Sequence, residues 1–265
     1  STPSNSSAAS DVYKRQSRGR VAYYAGCFAN YYEPEVSQAL VRVMERNGFE
    51  VAVPDQKCCG LPMMASKNVE GARENAEYNI ACLASMVAGG YDVITACPSC
   101  SLMIKREYPN LFDSDAARLV SEHTYYVDEY LMGLYRSGAL DTAFGPISTA
   151  VLYHVPCHLK VQDMVSDSLE LLRLIPGLSI EKVNTACCGM GGYHGYRVAH
   201  SALSMEIGAR LFGEIGSLSP GSRVVTGCAA CRLQIEAGTG VHAEHPMLLL
   251  QEAYGTGRAA HGRTG

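Results

Sequence analysis

Short apolar strands alternate with amphipathic stretches along almost the whole chain. VAYYA (residues 21–25) precedes a helical period over roughly 34–47. FEVAV (49–53), a helix over about 67–88, YDVITA (91–96) and a helix opening at Pro98 follow, proline being suited to a first helical turn. The series then starts again with TAVLYH (149–154), a helix near 161–175, LSIEKV (178–183), a helix near 197–215, RVVTG (223–227) and a helix from about 229. Short apolar strands separated by such helices predict parallel sheets covered on both faces. SGALDTAFGPI (137–147) interrupts the pattern with Gly and Pro and puts the seam near 137–148. The predicted fold is α/β: a tandem duplication of two Rossmann-like domains, residues 21–140 and 147–254, each a small parallel sheet flanked by helices. Residues 1–20 hold six Ser and four Lys or Arg without periodicity and read as a disordered tail or scar; 255–265 read as a loose C-terminal tail.

The cysteines repeat with the strands. Cys27, Cys58–Cys59 and Cys97–Cys100 in the first half correspond to Cys157, Cys187–Cys188 and Cys228–Cys231 in the second, at separations of 129 to 131 residues. Ten cysteines do not fall into that register by chance, so the chain is a duplication. Every one of the ten follows the C-terminal end of a predicted strand, where open parallel sheets place their ligand crevices. The sequence therefore predicts one site in each half.

What such a site holds is a question of thiolate chemistry. Both CxxC pairs open a helix, whose dipole and free N–H groups favour thiolate. The side chains of adjacent cysteines diverge, so Cys58–Cys59 and Cys187–Cys188 do not easily share one small ion, whereas a cluster of several irons offers separate attachment points. Gly60 and Gly189 follow at once, consistent with a left-handed turn or close backbone approach. Soft thiolates select zinc or iron–sulfur clusters; structural zinc needs only four ligands. Iron–sulfur clusters are the leading assignment, with zinc in one or both sites and disulfides as the alternatives.

Composition narrows the setting. A net charge of −4 gives no basic field for nucleic acid. No apolar run reaches the roughly 18 residues of a membrane span, and residues 1–20 carry no apolar segment of a signal peptide. Eleven cysteines in 265 residues, 47% of them hydrophobic, do not make a short secreted disulfide scaffold. A reducing compartment, the cytoplasm, is expected.

The spacing Cys, about 30 residues, Cys-Cys-Gly, nearly 40 residues, Cys-x-x-Cys resembles the cysteine-rich CCG domain. That domain occurs in the B subunit of heterodisulfide reductase, in iron–sulfur subunits of glycolate and lactate oxidation, and in the C subunit of anaerobic glycerol-3-phosphate dehydrogenase. YYAGCFANYYEPE, YHVPCH, LELLRLIPGL, CCGMGGYHGY and CRLQIEAGTG are similar to the last of these. The resemblance implies a non-flavin iron–sulfur subunit that passes electrons from a flavoprotein dehydrogenase toward quinone, working in the cytoplasm or peripherally at the inner face of the cell membrane, with a quinone or membrane-anchor partner. It also implies one noncubane four-iron cluster per domain, on Cys27, Cys58, Cys59, Cys97 and Cys100, and on Cys157, Cys187, Cys188, Cys228 and Cys231. Direct reduction of a disulfide at such a cluster is the second function it allows, and a zinc-stabilised binding module the third. Such subunits usually carry a ferredoxin-like segment with two CxxCxxCxxxCP motifs; none is present in these residues, so a ferredoxin-like segment or subunit is an expected partner.

Other residues read more plainly. Cys82, inside a predicted helix, is expected to be a small buried hydrophobe. His154, His158 and His194 either tune a cluster or pack locally. Met63, Met64 and Met190 are expected as wall, and Tyr23, Tyr24, Tyr125 and Tyr126 as packing on the sheets. Lys160, Arg197 and Arg232 either offset cluster charge or face solvent. The amphipathic stretch 197–215 is expected to pack on its sheet rather than on a membrane.

Overall fold

The computed structural model describes residues 18–192 and 194–255; the two predicted tails, apart from a few residues, lie outside them. The first half runs β1 (Gly19–Tyr24), α1 (Gly26–Tyr31), α2 (Pro34–Arg46), β2 (Phe49–Ala52), α3 (Leu61–Ala65), α4 (Val69–Ala88), β3 (Asp92–Thr95) and α5 (Pro98–Leu102). A π-helical turn, Met103–Glu107, leads into α6 (Tyr108–Leu111), followed by α7 (Asp115–Glu122), β4 (Thr124–Tyr126) and α8 (Val127–Arg136). The second half runs β5 (Thr149–His154), α9 (Cys157–Lys160), α10 (Val165–Arg173), β6 (Leu178–Asn184), α11 (Ser201–Gly216), β7 (Arg223–Val225), α12 (Ala229–Thr239), β8 (Ala243–Glu244) and α13 (Pro246–Ala253).

All eight strands among the described residues are parallel, in two sheets of order β2-β1-β3-β4 and β6-β5-β7-β8. The duplicated α/β architecture is as predicted. The fourth strand of each sheet, and the helix that follows it, escaped the sequence reading: Thr124–Tyr126 and Ala243–Glu244 carry no aliphatic run like Val224 and Val225, which mark β7, itself only three residues long.

The period of two along the central strands explains how the halves join. Val21 and Tyr23 of β1, with Val151 and Tyr153 of β5, point to one large core that both halves share; Ala22 and Tyr24 point to the α4 side, Leu152 to the α11 side. Helices of each half fill the shared core crosswise. α2 of the first half packs on α13 of the second, and α10 of the second packs on α8 of the first. α11 does cover its sheet, burying Ser204, Gly208, Leu211 and Ile215, while Leu203 and Ile207 remain exposed. No helix among the described residues is long and apolar enough to cross a membrane.

Candidate metal centre

The chain leaves each central strand and turns at once into a helix, carrying the cysteines to the C-terminal edges of both sheets. Cys27 lies in α1 after β1, and Cys157 begins α9 after β5. Cys97 and Cys228 cap α5 and α12 with nearly the same extended backbone (φ −115°, ψ 120° and φ −96°, ψ 119°), which puts Cys100 and Cys231 within the first helical turn. Gly60 and Gly189 hold left-handed φ values of 91° and 93° after the adjacent pairs. A side chain at Gly189 would overlap the Ser204 carbonyl, so glycine there is dictated by a backbone approach as well as by φ.

Because the sheets face each other across the shared core, the edges meet. All ten motif cysteines line a single cavity of about 180 Å³, together with Ser99, His154, His158, Lys160, Arg232 and His245. The sequence reading gave one site to each half; the structure has two quintets facing one another inside one pocket. Its volume is more than ten times the roughly 10–15 Å³ that a single water requires, so the space suits a group of several atoms better than one ion.

Within each quintet the sulfurs are close. Cys27 and Cys58 Sγ are 3.9 Å apart, and Cys188 and Cys231 Sγ 3.3 Å. Two thiolates on one metal at about 2.3 Å stand about 3.8 Å apart. Of the adjacent pairs, Cys187 and Cys188 diverge as expected, one exposed and the other buried, whereas the Cys58 and Cys59 thiols stay within hydrogen-bonding reach of each other. The contacts favour thiolate at chosen positions. Hydrogen bonds from the Cys27 and Cys59 thiols bring Cys58 down to about 3 against the opposing effect of burial. The Cys231 thiol brings Cys188 to about 4, and the Cys100 thiol, aided by the first N–H groups of α5, brings Cys97 to about 6. Ten convergent thiols around an apolar cavity are a donor set that fits iron–sulfur clusters, and zinc at either quintet.

The remaining candidates divide. Lys160 lines the cavity and donates Nζ–H to the Thr185 carbonyl at 3.0 Å. Arg232, 5% exposed, also lines it and pairs with Glu33 of the other half, with Nε to Oε1 at 3.0 Å. Arg197 is exposed and outside the wall. His154 and His158 line the cavity, whereas His194 lies outside it and stacks on His200 with ring centroids 3.9 Å apart. Met190 is wall; Met63 and Met64 sit on α3, outside it. Tyr23, Tyr24 and Tyr126 are buried on the sheets, with Tyr125 partly so. Cys82 corrects its expectation: it is only half-buried on α4, at the margin of the packed face. Sequence reasoning missed Ser99, Glu33 and His245. His245 caps α13 through its Nδ1 and donates Nε2–H to the Ala96 carbonyl across the junction at 2.8 Å; burial, with Arg232 nearby, keeps it neutral, its pKa at about 3.

Two segments, residues 21–105 and 151–236, match the cysteine-rich CCG domain. The chain is 33% identical over 240 residues to the C subunit of anaerobic glycerol-3-phosphate dehydrogenase of Escherichia coli, covering 90% of this chain and 60% of that protein. It is 31% identical over 222 residues to the B subunit of fumarate reductase (CoM/CoB) of Methanothermobacter marburgensis, covering 82% of this chain and 42% of that one. An uncharacterized iron–sulfur protein of Methanococcus maripaludis is 26% identical over 220 residues, 82% of this chain and 41% of its own length. The chain thus spans about two fifths to three fifths of these relatives. With both of its cysteine-bearing segments matched, the chain belongs to the cysteine-rich CCG-domain family.

Proposed function

We propose that the chain is an iron–sulfur electron-transfer subunit of an oxidoreductase, with Cys27, Cys58, Cys59, Cys97 and Cys100 holding one cluster and Cys157, Cys187, Cys188, Cys228 and Cys231 the other. The observation that carries this is the convergence of all ten thiols on one largely apolar cavity. When bound, such clusters supply one-electron storage at potentials set by ligands, hydrogen bonds and solvent access. The chain's own residues hold and tune them. α5 points its first N–H groups at the Cys97 thiolate, Lys160 and Arg232 offset negative charge, and the apolar wall limits water. The relatives' names, which place them in a dehydrogenase and a reductase, support an assembly with a catalytic partner. The family resemblance extends this to a noncubane [4Fe-4S] cluster in each half and a flavoprotein dehydrogenase as donor. It further gives a ferredoxin-like segment or subunit as intermediary and quinone or a membrane anchor as destination, in the cytoplasm or peripherally at the inner membrane face.

Anaerobic reconstitution with iron and sulfide tests the reading. About eight irons per chain and a paramagnetic signal on reduction are expected for two four-iron clusters. Fewer than about two irons overturn it, and two zinc ions without visible absorption establish a zinc module instead. A second reading, reduction of a disulfide at the centre, is favoured by the solvent exposure of Cys27, Cys157 and Cys187 on the cavity wall. It predicts a spectral change on adding a dithiol or disulfide, and no change with any of them eliminates it.

A further inference from the structure

The two quintets are not equivalent, because the residue three before the first cysteine differs: Tyr24 precedes Cys27 and His154 precedes Cys157. Tyr24 ends β1 and turns its hydroxyl to the Lys57 carbonyl, with Asn79 Nδ2 donating to it at 3.4 Å. His154 ends β5, is 1% exposed, and brings its ring to the thiols of its own half: one ring nitrogen and the sulfurs of Cys188 and Cys231 all lie within 4.8 Å of one another.

A chain of hydrogen bonds fixes which nitrogen carries the proton. Asn184 Nδ2 donates to Glu214 Oε2 at 2.8 Å, and Asn184 Oδ1 accepts the Ala186 N–H at 3.0 Å, so the amide cannot be flipped without losing both. The atom 3.1 Å from His154 Nδ1 is therefore the amide oxygen, an acceptor. Nδ1 therefore carries a proton, and Nε2 is the nitrogen that Asn184 does not engage. A buried imidazole within reach of two thiols, its Nδ1–H held by an amide that a carboxylate anchors, is the arrangement that orients histidine ligands at metal sites.

We propose that His154 Nε2 is a sixth donor in the second quintet, so that the first site is all-thiolate and the second has mixed sulfur and nitrogen ligation. This rests on the reading that the quintets hold metal.

The test uses the full chain, reconstituted anaerobically and reduced, with pulsed electron paramagnetic resonance as the readout. Strong nitrogen coupling is expected, moving to the isotope's frequencies when histidine is supplied as the ¹⁵N form, which needs no substitution. His154→Gln should abolish that coupling, with iron content unchanged. His158→Gln, at the other cavity histidine, should retain the coupling. Full iron content without strong histidine coupling in the wild-type chain overturns the proposal and leaves the electron-transfer reading standing, as does coupling that survives His154→Gln. Failure to retain iron at all overturns both, and the iron count separates the two cases.

Discussion

Across the junction the halves repeat a contact with opposite chemistry. In the first half, Ser101 follows Cys100 into α5 and donates to Gln162 of the second half at 3.0 Å; Gln162 in turn donates to the Pro98 carbonyl at 2.9 Å. In the second half, Arg232 follows Cys231 into α12 and pairs through two nitrogens with Glu33 of the first half, while its Nη1 donates to the Thr226 carbonyl at 2.9 Å. The helix pairs of the shared core are unequal in the same way. α13 presents apolar Met247 to the α2 side, but α8, its counterpart, presents Asp128, whose Oδ2 accepts from Ser168 of α10 at 2.6 Å. Duplication set where the halves touch, and later substitutions chose neutral, ionic or apolar means at each touch.

The largest expected effect asks whether the quintets, despite their common cavity, load as separate units. If each quintet holds a cluster as proposed, replacing Cys58 and Cys59 together by Ser should remove about half of the iron after reconstitution, and so should replacing Cys187 and Cys188. Iron and sulfide analysis reads the result. Loss of nearly all iron from either variant breaks the comparison, because it means one occupant shared by both halves.

The ionic contact comes next. Arg232→Met leaves the Glu33 carboxylate half enclosed without its partner, and breaking such a pair costs about 3–5 kcal/mol. Chemical denaturation of the metal-free chain measures it. A loss below about 1 kcal/mol would class the pair with exposed surface bridges.

Asp128 sharpens the contrast between the two helix pairs. Burial, with Asp167 nearby and the Ser168 hydrogen bond opposing, raises its pKa from 3.8 to about 7. Between those values the folded chain binds a proton that the unfolded chain has released, so this group's contribution to stability falls as pH rises from about 4 to about 7 and is level above that. At about 1.4 kcal/mol per pKa unit the full swing is at most about 4 kcal/mol. Asp128→Asn should remove it, so that the variant's stability relative to wild type climbs with pH over that interval. A difference that is flat with pH places the carboxyl in contact with water.

These contacts also show what could be read from the chain. The ten cysteines and six of the strands followed from register and hydrophobic runs, because both are local patterns repeated twice. β4 and β8 did not, since Thr124–Tyr126 and Ala243–Glu244 carry no aliphatic run like that of the three-residue β7. The meeting of the quintets in one cavity depends on helices exchanged across the junction, and no local pattern encodes that. Arg232 stood out beside its cysteine, but its partner lies 199 residues away. His154 was visible for the same reason as Arg232. Its proton position depends on Asn184 and Glu214, which only the folded chain brings to it.

The smallest effect belongs to the neutral contact. Gln162→Leu strips the Ser101 hydroxyl and the Pro98 carbonyl of their partner in a buried place, an expected cost of about 1–3 kcal/mol. Most of that is the desolvation of groups left unpaired rather than the worth of the bonds. Adding Ser101→Ala to Gln162→Leu should therefore recover part of the loss, because the orphaned hydroxyl is gone. The ionic contact should behave differently: with its Glu33 partner replaced by Leu, Arg232 keeps a buried charge that the Thr226 carbonyl alone cannot offset, so that variant should cost more than either neutral one. Equal losses at both contacts in urea titrations would show that the difference in chemistry across the junction carries no difference in stability.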